Sequence, residues 1–284
     1  MKVYTLNAFA KSRNGGNPAG VVLDADSLSD KDMLKIAQKV GFSETAFVQK
    51  SKKADFKVRF FTPHKEIDLC SHATIAIFYL LAKKGIVKTG IYTQETKAGL
   101  IRVEVKREGV VLMNHILPKL EDILDKNEIA ESLNIPIDSI IKELPIQIFS
   151  SVSRDILIPI ISIKALNRIK PNFEMIKKIS KKYGTYGYHL FTQEKSPKIS
   201  CRNFAPLYNI PEESASGTSI CGLSCYLFKY GIINEKRGKN LVFEQGYSMG
   251  KPSSILTSLI FKNHKIIEVK VGGKATNIQI KEIK

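Results

Sequence analysis

The sequence predicts an α+β protein of two similar domains, each a mostly antiparallel, barrel-like sheet wrapped around one central helix. Three observations carry this prediction. The chain repeats itself at about half its length, each half contains a helix that is apolar nearly all round, and the segments flanking those helices read as short strands. The repeat is visible as a set of matches in constant order. Ile36-Ala37-Gln38-Lys39-Val40-Gly41 resembles Ile179-Ser180-Lys181-Lys182-Tyr183-Gly184 at an offset of 143, and Phe47 matches Phe191 at 144. Arg59-Phe60-Phe61-Thr62-Pro63 matches Arg202-Asn203-Phe204-Ala205-Pro206 at 143. Ser71-His72 matches Gly217-Thr218 at 146, as Lys84-Gly85-Ile86-Val87 does Tyr230-Gly231-Ile232-Ile233. Five matches in register mark two copies of one domain, residues 1–116 with the C-terminal strand 274–284, and residues 117–273.

Each copy reads in the same order. A helix at 30–40, matched at 173–183, ends on Gly41 or Gly184, residues suited to a left-handed cap. Strands follow at 44–49 and 188–192, then at 56–61 and 198–204, rich in apolar, β-branched and aromatic residues. A proline-marked loop leads to the apolar helix at 72–83, matched at 218–230. Ile75, Ala76, Ile77, Phe78, Leu80 and Leu81 leave it no polar face, so it must be surrounded. Strands at 101–106 and 110–114 complete the first copy. Residues 117–121 read as a linker and 128–133 as a short helix.

With 284 residues, 43% of them apolar and 25% charged, the chain has an ordinary globular composition and needs no disulfide staples. Its net charge is +17, yet only eight of the basic residues are arginines and no run of five basic residues occurs. Without tryptophan, a zinc-finger pattern or an RNP1-like motif, the charge reads as a lysine-rich solvated surface and nucleic acid is not an expected partner. The four cysteines, at 70, 201, 221 and 225, form no disulfide framework. Cys221 and Cys225 lack a second ligand pair and read as buried thiols on a helix face, so no metal is expected. No secretory signal is visible at the start of the chain. The longest apolar stretches, 75–82 and 156–163, are too short to span a bilayer. A reduced, cytoplasmic protein with no membrane partner is the expectation.

The repeated Ser71-His72 and Gly217-Thr218 fall at the starts of the two apolar helices. First-turn N–H groups have no intrahelical partners and the dipole is positive there, which favours a carboxylate or phosphate. Two such starts are expected to clamp one small anionic ligand, with Ser71, Ser216 and Gly217 small enough for close approach. Glu44 is a lone carboxylate in an apolar strand, where desolvation is expected to raise its pKa toward neutral and suit it to proton transfer. Glu213, five residues before Thr218 on the second copy's loop, is a further acidic candidate, and His72 a candidate donor or proton shuttle. Gly15-Gly16-Asn17-Pro18-Ala19-Gly20 lacks the phosphate-loop Lys-Ser/Thr and dinucleotide spacing, and reads as a turn shaping the rim of the site.

In these motifs the chain resembles the PhzF family, the phenazine-biosynthesis isomerase-like proteins, from end to end. The matching pieces include Gly16–Val22, Phe42–Phe47, Arg59–Pro63, Leu69–Thr74 and Glu212–Thr218. Gln245-Gly246, Met249–Ser253 and Val271-Gly272-Gly273 complete them. The resemblance implies the diaminopimelate-epimerase-like fold, with an active site between the domains, no cofactor, no metal and commonly a homodimer. It assigns the acid/base glutamate to Glu44, the active-site histidine to His72 and the second-domain acidic residue to Glu213. Backbone donors fall on Ser71 and Gly217, and a hydroxyl on Thr218.

Four positions depart from the family pattern. Ser71 stands where glycine is usual, adding a β-carbon. Glu213 replaces an aspartate and is one methylene longer, Ser214 replaces a proline, and Thr218 replaces a serine while keeping the hydroxyl. The expected function is a cofactor-independent isomerase that moves a proton on a small carboxylate, with helix starts stabilising the enolate-like charge. The alternative is a catalytically inactive module that binds a metabolite in the same cleft. A two-cysteine racemase is disfavoured, because the second-half counterpart of Cys70 is not a cysteine.

Overall fold

The computed structural model describes residues 1–194 and 197–283 and divides into two compact units, residues 1–115 with 270–284 and residues 116–269. Lys284, the last residue of the expected C-terminal strand, lies outside the described residues.

The N-terminal unit runs β1 (Lys2–Ala8), β2 (Asn17–Val22), α1 (Asp30–Val40), β3 (Glu44–Gln49), β4 (Phe56–Phe61), β5 (Glu66–Ile67), α2 (Ser71–Lys83), β6 (Gly90–Thr96), β7 (Gly99–Val105) and β8 (Val111–His115). The C-terminal unit runs β9 (Lys119–Leu124), α3 (Lys126–Ser132), β10 (Ile146–Ser150), β11 (Arg154–Pro159), α4 (Ile163–Arg168), α5 (Phe173–Tyr183), β12 (Gly187–Thr192), β13 (Ile199–Ala205), β14 (Ile210–Glu213), α6 (Gly217–Lys229), α7 (Glu235–Gly238), β15 (Leu241–Gln245) and β16 (Ser253–Lys262). The unit boundary falls within β17 (Lys265–Gly273), and β18 (Ala275–Glu282) returns to the N-terminal unit.

The same pairing pattern occurs in both units. In the first, β18–β1 and β1–β2 are antiparallel, β2–β3 parallel, β3–β4 antiparallel, β4–β6 parallel and β6–β7 antiparallel. In the second, β9–β10 and β10–β11 are antiparallel, β11–β12 parallel, β12–β13 antiparallel, β13–β15 parallel and β15–β16 antiparallel. α2 packs against β1, β2, β3, β7, β8 and β18, so strands surround it, and ten of its residues from Ser71 to Leu81 are buried. α6 is buried in the same way and packs against β9, β16 and α7. The predicted fold class is therefore borne out.

Local chemistry explains the element ends. Ser29 and Asp32 form a reciprocal capping box before α1, and Asn172 caps α5. Gly41 and Gly184 end those helices at φ 75° and 62°, where a side chain on the residue would be strained. A partly buried arginine fork recurs as well. Arg59 on β4 donates to both carboxylate oxygens of Glu66 on β5, at 2.8 and 2.9 Å. Arg202 on β13 does the same to Glu212 on β14, at 2.9 Å each.

Three expectations are corrected. Residues 117–121 are no linker; Lys119–Leu124 form a strand whose alternation is hidden by Lys119, Glu121 and Asp122, and whose ladder with β10 is interrupted by a register shift. The segment 15–20 is only partly a turn, because Asn17 already begins β2. Glu213 is not on a loop; it is the last residue of β14, paired with Asn203.

Candidate active site

In the N-terminal unit β3 begins on Glu44 and α2 on Ser71, and the fold brings Glu44, Cys70 and His72 to one point. His72 Nε2 lies 3.2 Å from Glu44 Oε2 in a buried ion pair. The other face of the ring meets Asn17 and Cys70, with His72 Nδ1 3.4 Å from Asn17 Nδ2 and 3.4 Å from Cys70 Sγ. Cys70 is the N-cap residue of α2, in an extended conformation that turns its thiol back over the residue two positions on.

Burial of Glu44 opposes its charge, as the sequence leads one to expect, but the paired His72 outweighs it and holds the carboxyl below its usual range. Burial likewise opposes a charged His72, and the interactions with Cys70 and Glu44 overcome it, raising the imidazole well above its ordinary value. The expectation of a Glu44 pKa raised toward neutral is thus corrected: the pairing with His72 lowers it. Burial pushes the Cys70 thiol up. Ser71 contributes more than a backbone N–H, because its Oγ lies 3.1 Å from His115 Nε2. Burial lowers His115 to about 4, so this ring is neutral near pH 7.

In the C-terminal unit Gly217 is the buried first residue of α6, Thr218 follows it half-buried, and Glu213 precedes it at the end of β14. No capping side-chain hydrogen bond is made at the start of α2 or of α6. Behind the start of α6, Ser219 Oγ donates to Asp155 Oδ2 at 2.6 Å and lies 2.8 Å from Ser216 Oγ. Asp155 is fully buried, and burial lifts its carboxyl to about 6 against the hydrogen bonds from Ser219 and the Gly187 amide.

The structure therefore brings Glu44 and His72 together, with Ser71 beside them at the start of α2, in one unit, and places Glu213, Gly217 and Thr218 along one strand-to-helix segment of the other. Asn17, Cys70 and His115 were not singled out by sequence reasoning. Asn17 and Cys70 lay inside quoted motifs, and their signal was proximity to His72 in the fold; His115 had no signal, since only the β8 pairing brings it to Ser71. Cys221 is buried and Cys225 partly buried on α6, and burial raises both thiols. Among the described residues no helix is long and apolar enough to cross a membrane.

Central helices wrapped by repeated mixed sheets define the diaminopimelate-epimerase-like fold class. The chain belongs to the PhzC-PhzF family of phenazine biosynthesis-like proteins, whose sequence profile matches residues 6–280. It is 32% identical over 288 residues to an uncharacterised isomerase of Clostridium acetobutylicum, covering 96% of this chain and 94% of that protein. It is 27% identical to the trans-2,3-dihydro-3-hydroxyanthranilate isomerase of Pseudomonas chlororaphis, covering 94% of each. The crystal structure of a Bacillus anthracis PhzF-family phenazine biosynthesis protein superposes with a TM-score of 0.89 at 29% identity, covering 100% of this chain and 99% of that one. The protein is an enzyme of the isomerase class.

Proposed function

We propose that this isomerase needs no cofactor and moves a proton between two carbons of a small carboxylate substrate by general acid–base catalysis. The observation that carries the reading is the buried Glu44–His72 ion pair at the start of α2. His72 keeps Glu44 ionised in a setting that would otherwise protonate it, so a base is ready when substrate arrives. Glu44 takes a proton from a carbon α or vinylogous to the substrate carboxyl. The charge that develops is held by the backbone N–H groups at the start of α2, that of Ser71 first among them. Glu44 then returns the proton to the other carbon, so substrate and product differ only in the positions of one hydrogen and the double bonds. His72 stabilises the carboxylate before and after transfer.

The relative from Pseudomonas chlororaphis is named for a cyclic amino carboxylic acid, which is the substrate class we infer. A thermal-shift screen of small carboxylates, including trans-2,3-dihydro-3-hydroxyanthranilate, tests this. A ligand that binds only the folded chain at one hundred times its Kd stabilises it by about 2.7 kcal/mol. At least one cyclic amino acid or hydroxy acid should raise the melting temperature and be converted to an isomer. A screen in which phosphates or neutral sugars shift the protein and no carboxylate does would overturn the proposal.

A further inference from the structure

We propose that Ser71 and His115 add a side-chain donor to the start of α2: His115 Nε2–H holds the Ser71 hydroxyl, and that hydroxyl donates to one oxygen of a small carboxylate ligand. Ser71 is then a ligand contact and a determinant of specificity, and His115 is its positioning residue. Two groups of residues flank the helix start. His72 turns toward β2 and β3, where its ring meets Asn17 and Glu44. Ser71 turns toward β8, where its Oγ lies 3.1 Å from His115 Nε2. Of the first-turn N–H groups, that of Thr74 donates to the Cys70 carbonyl at 3.1 Å and that of Ala73 faces the Cys70 thiol. No side chain caps the helix, so the N–H groups of Ser71 and His72 remain for a ligand seated between the two side chains.

The direction of the Ser71–His115 bond follows from what surrounds the ring. His115 is 6% exposed, and its Nδ1 has no hydrogen-bond partner among the described residues. Burial keeps the ring neutral near pH 7, so it carries a single proton. A buried N–H without an acceptor is rarer than an acceptor with a spare lone pair, so the proton sits on Nε2 and Nδ1 is the bare acceptor. Nε2–H then donates to Ser71 Oγ, and the serine proton points away from the ring. Oγ and N belong to one residue, so an oxygen held by the Ser71 N–H lies within reach of the hydroxyl. Each donor in this chain polarises the next, which strengthens the bond to an anion. A carboxylate offers the two acceptor oxygens the arrangement needs, whereas a carboxamide offers one oxygen and brings a donor against a donor. Glycine is usual at position 71, so the hydroxyl sets this chain apart from the family pattern. That the ligand is a carboxylate is the one point resting on the proposed function.

The test uses the full chain with isotope-labelled histidine, acetate as the probe and acetamide as its neutral control. Nuclear magnetic resonance should place the His115 proton on Nε2, with His115→Gln identifying the signal by its loss. Acetate should move that signal and saturate at one anion per chain. Ser71→Gly and Ser71→Ala should each weaken acetate binding by about tenfold or more, the worth of one hydrogen bond to a charged group. His115→Leu should weaken it severalfold, and His115→Gln, whose amide N–H can replace Nε2–H, should restore it. Acetamide should not distinguish the wild-type chain from Ser71→Gly, whereas a merely structural role for Ser71 would alter both probes alike. Should Ser71→Gly fail to fold, Ser71→Ala decides. A proton on Nδ1, no saturable shift at molar acetate, or acetate held equally well by the folded Ser71 variants overturns the proposal. Those results leave the proposed function to its own assay, Glu44-dependent deuterium exchange, which needs no acetate. An acetate site lost with the hydroxyl stands whether or not the chain isomerises the carboxylates screened.

Discussion

Arg202→Ala should be among the most damaging single truncations in the C-terminal unit. The guanidinium makes two bonds of 2.9 Å to Glu212 and caps the carbonyls of Leu166 and Ile169 at 3.1 and 2.9 Å. It also lies 4.8 Å over the Phe204 ring. The two charged side chains are 9% and 15% exposed, so truncation leaves a largely buried carboxylate and two carbonyls without their cation. Removing one member of a buried pair costs about 3–5 kcal/mol. For a unit of about 150 residues, 1 kcal/mol is worth roughly 2–4 °C, so the expected loss is about 6–20 °C. The repeat supplies an internal control. Arg59 makes the same fork, but Lys97 stands 3.0 Å from Glu66 and remains after truncation, and the Asp30 partner is exposed. Arg59→Ala should therefore cost roughly 1–3 kcal/mol, the value of charge-assisted hydrogen bonds partly replaced. Urea denaturation followed by circular dichroism measures both. A loss below about 1 kcal/mol for Arg202→Ala, or a larger loss for Arg59→Ala, would refute the reasoning from burial.

Asp155 titrates near 6 in the folded chain against 3.8 for an ordinary aspartate. Between those values the folded state holds a proton that the unfolded state has lost, so stability falls as pH rises from about 4 to about 6, by about 3 kcal/mol. Asp155→Asn should remove that slope in denaturation curves measured from pH 4 to 7; an unchanged slope would place the effect elsewhere. A β-carbon on Gly222 would meet the Phe149 ring at 2.5 Å, so Gly222→Ala should cost about 1–3 kcal/mol by denaturation, and Phe149→Leu should recover part of it. We propose that the chain forms a homodimer, so light scattering should give about twice the chain mass of 31.8 kDa, and a constant mass near one chain across concentrations would contradict it.

The repeat was legible because its anchors are residues that backbone geometry or burial requires. Gly41 and Gly184 are needed for left-handed caps, and Arg59 and Arg202 each anchor a return strand. Glu44 stood out for the opposite reason: it has no acidic counterpart in the second copy, where Tyr188-His189 occupies the equivalent strand. A charge that supports the fold recurs, as Glu66 and Glu212 do, whereas a proton carrier is needed once. The resting ionisation of Glu44 was not legible, because it depends on a histidine 28 positions away that only the packing of α2 against β3 delivers. β9 was missed because its charged residues mask the alternation, and its pairing with β10 is a tertiary fact.

The central claim is that Glu44 carries the proton. Its most direct measurement follows solvent deuterium into carbon of a substrate found by the carboxylate screen, comparing the wild-type chain with Glu44→Gln. Glutamine keeps the shape and can still hydrogen-bond His72 but cannot accept a proton; because it removes one member of the ion pair, the variant's melting temperature and ligand affinity are measured alongside the rate. Loss of a general acid–base group costs about 10²–10⁴-fold in rate. The account predicts deuterium at carbon with wild-type protein and a rate lower by that factor in the variant. Exchange at the wild-type rate in folded, ligand-binding Glu44→Gln would contradict it and move the role to His72 or Glu213.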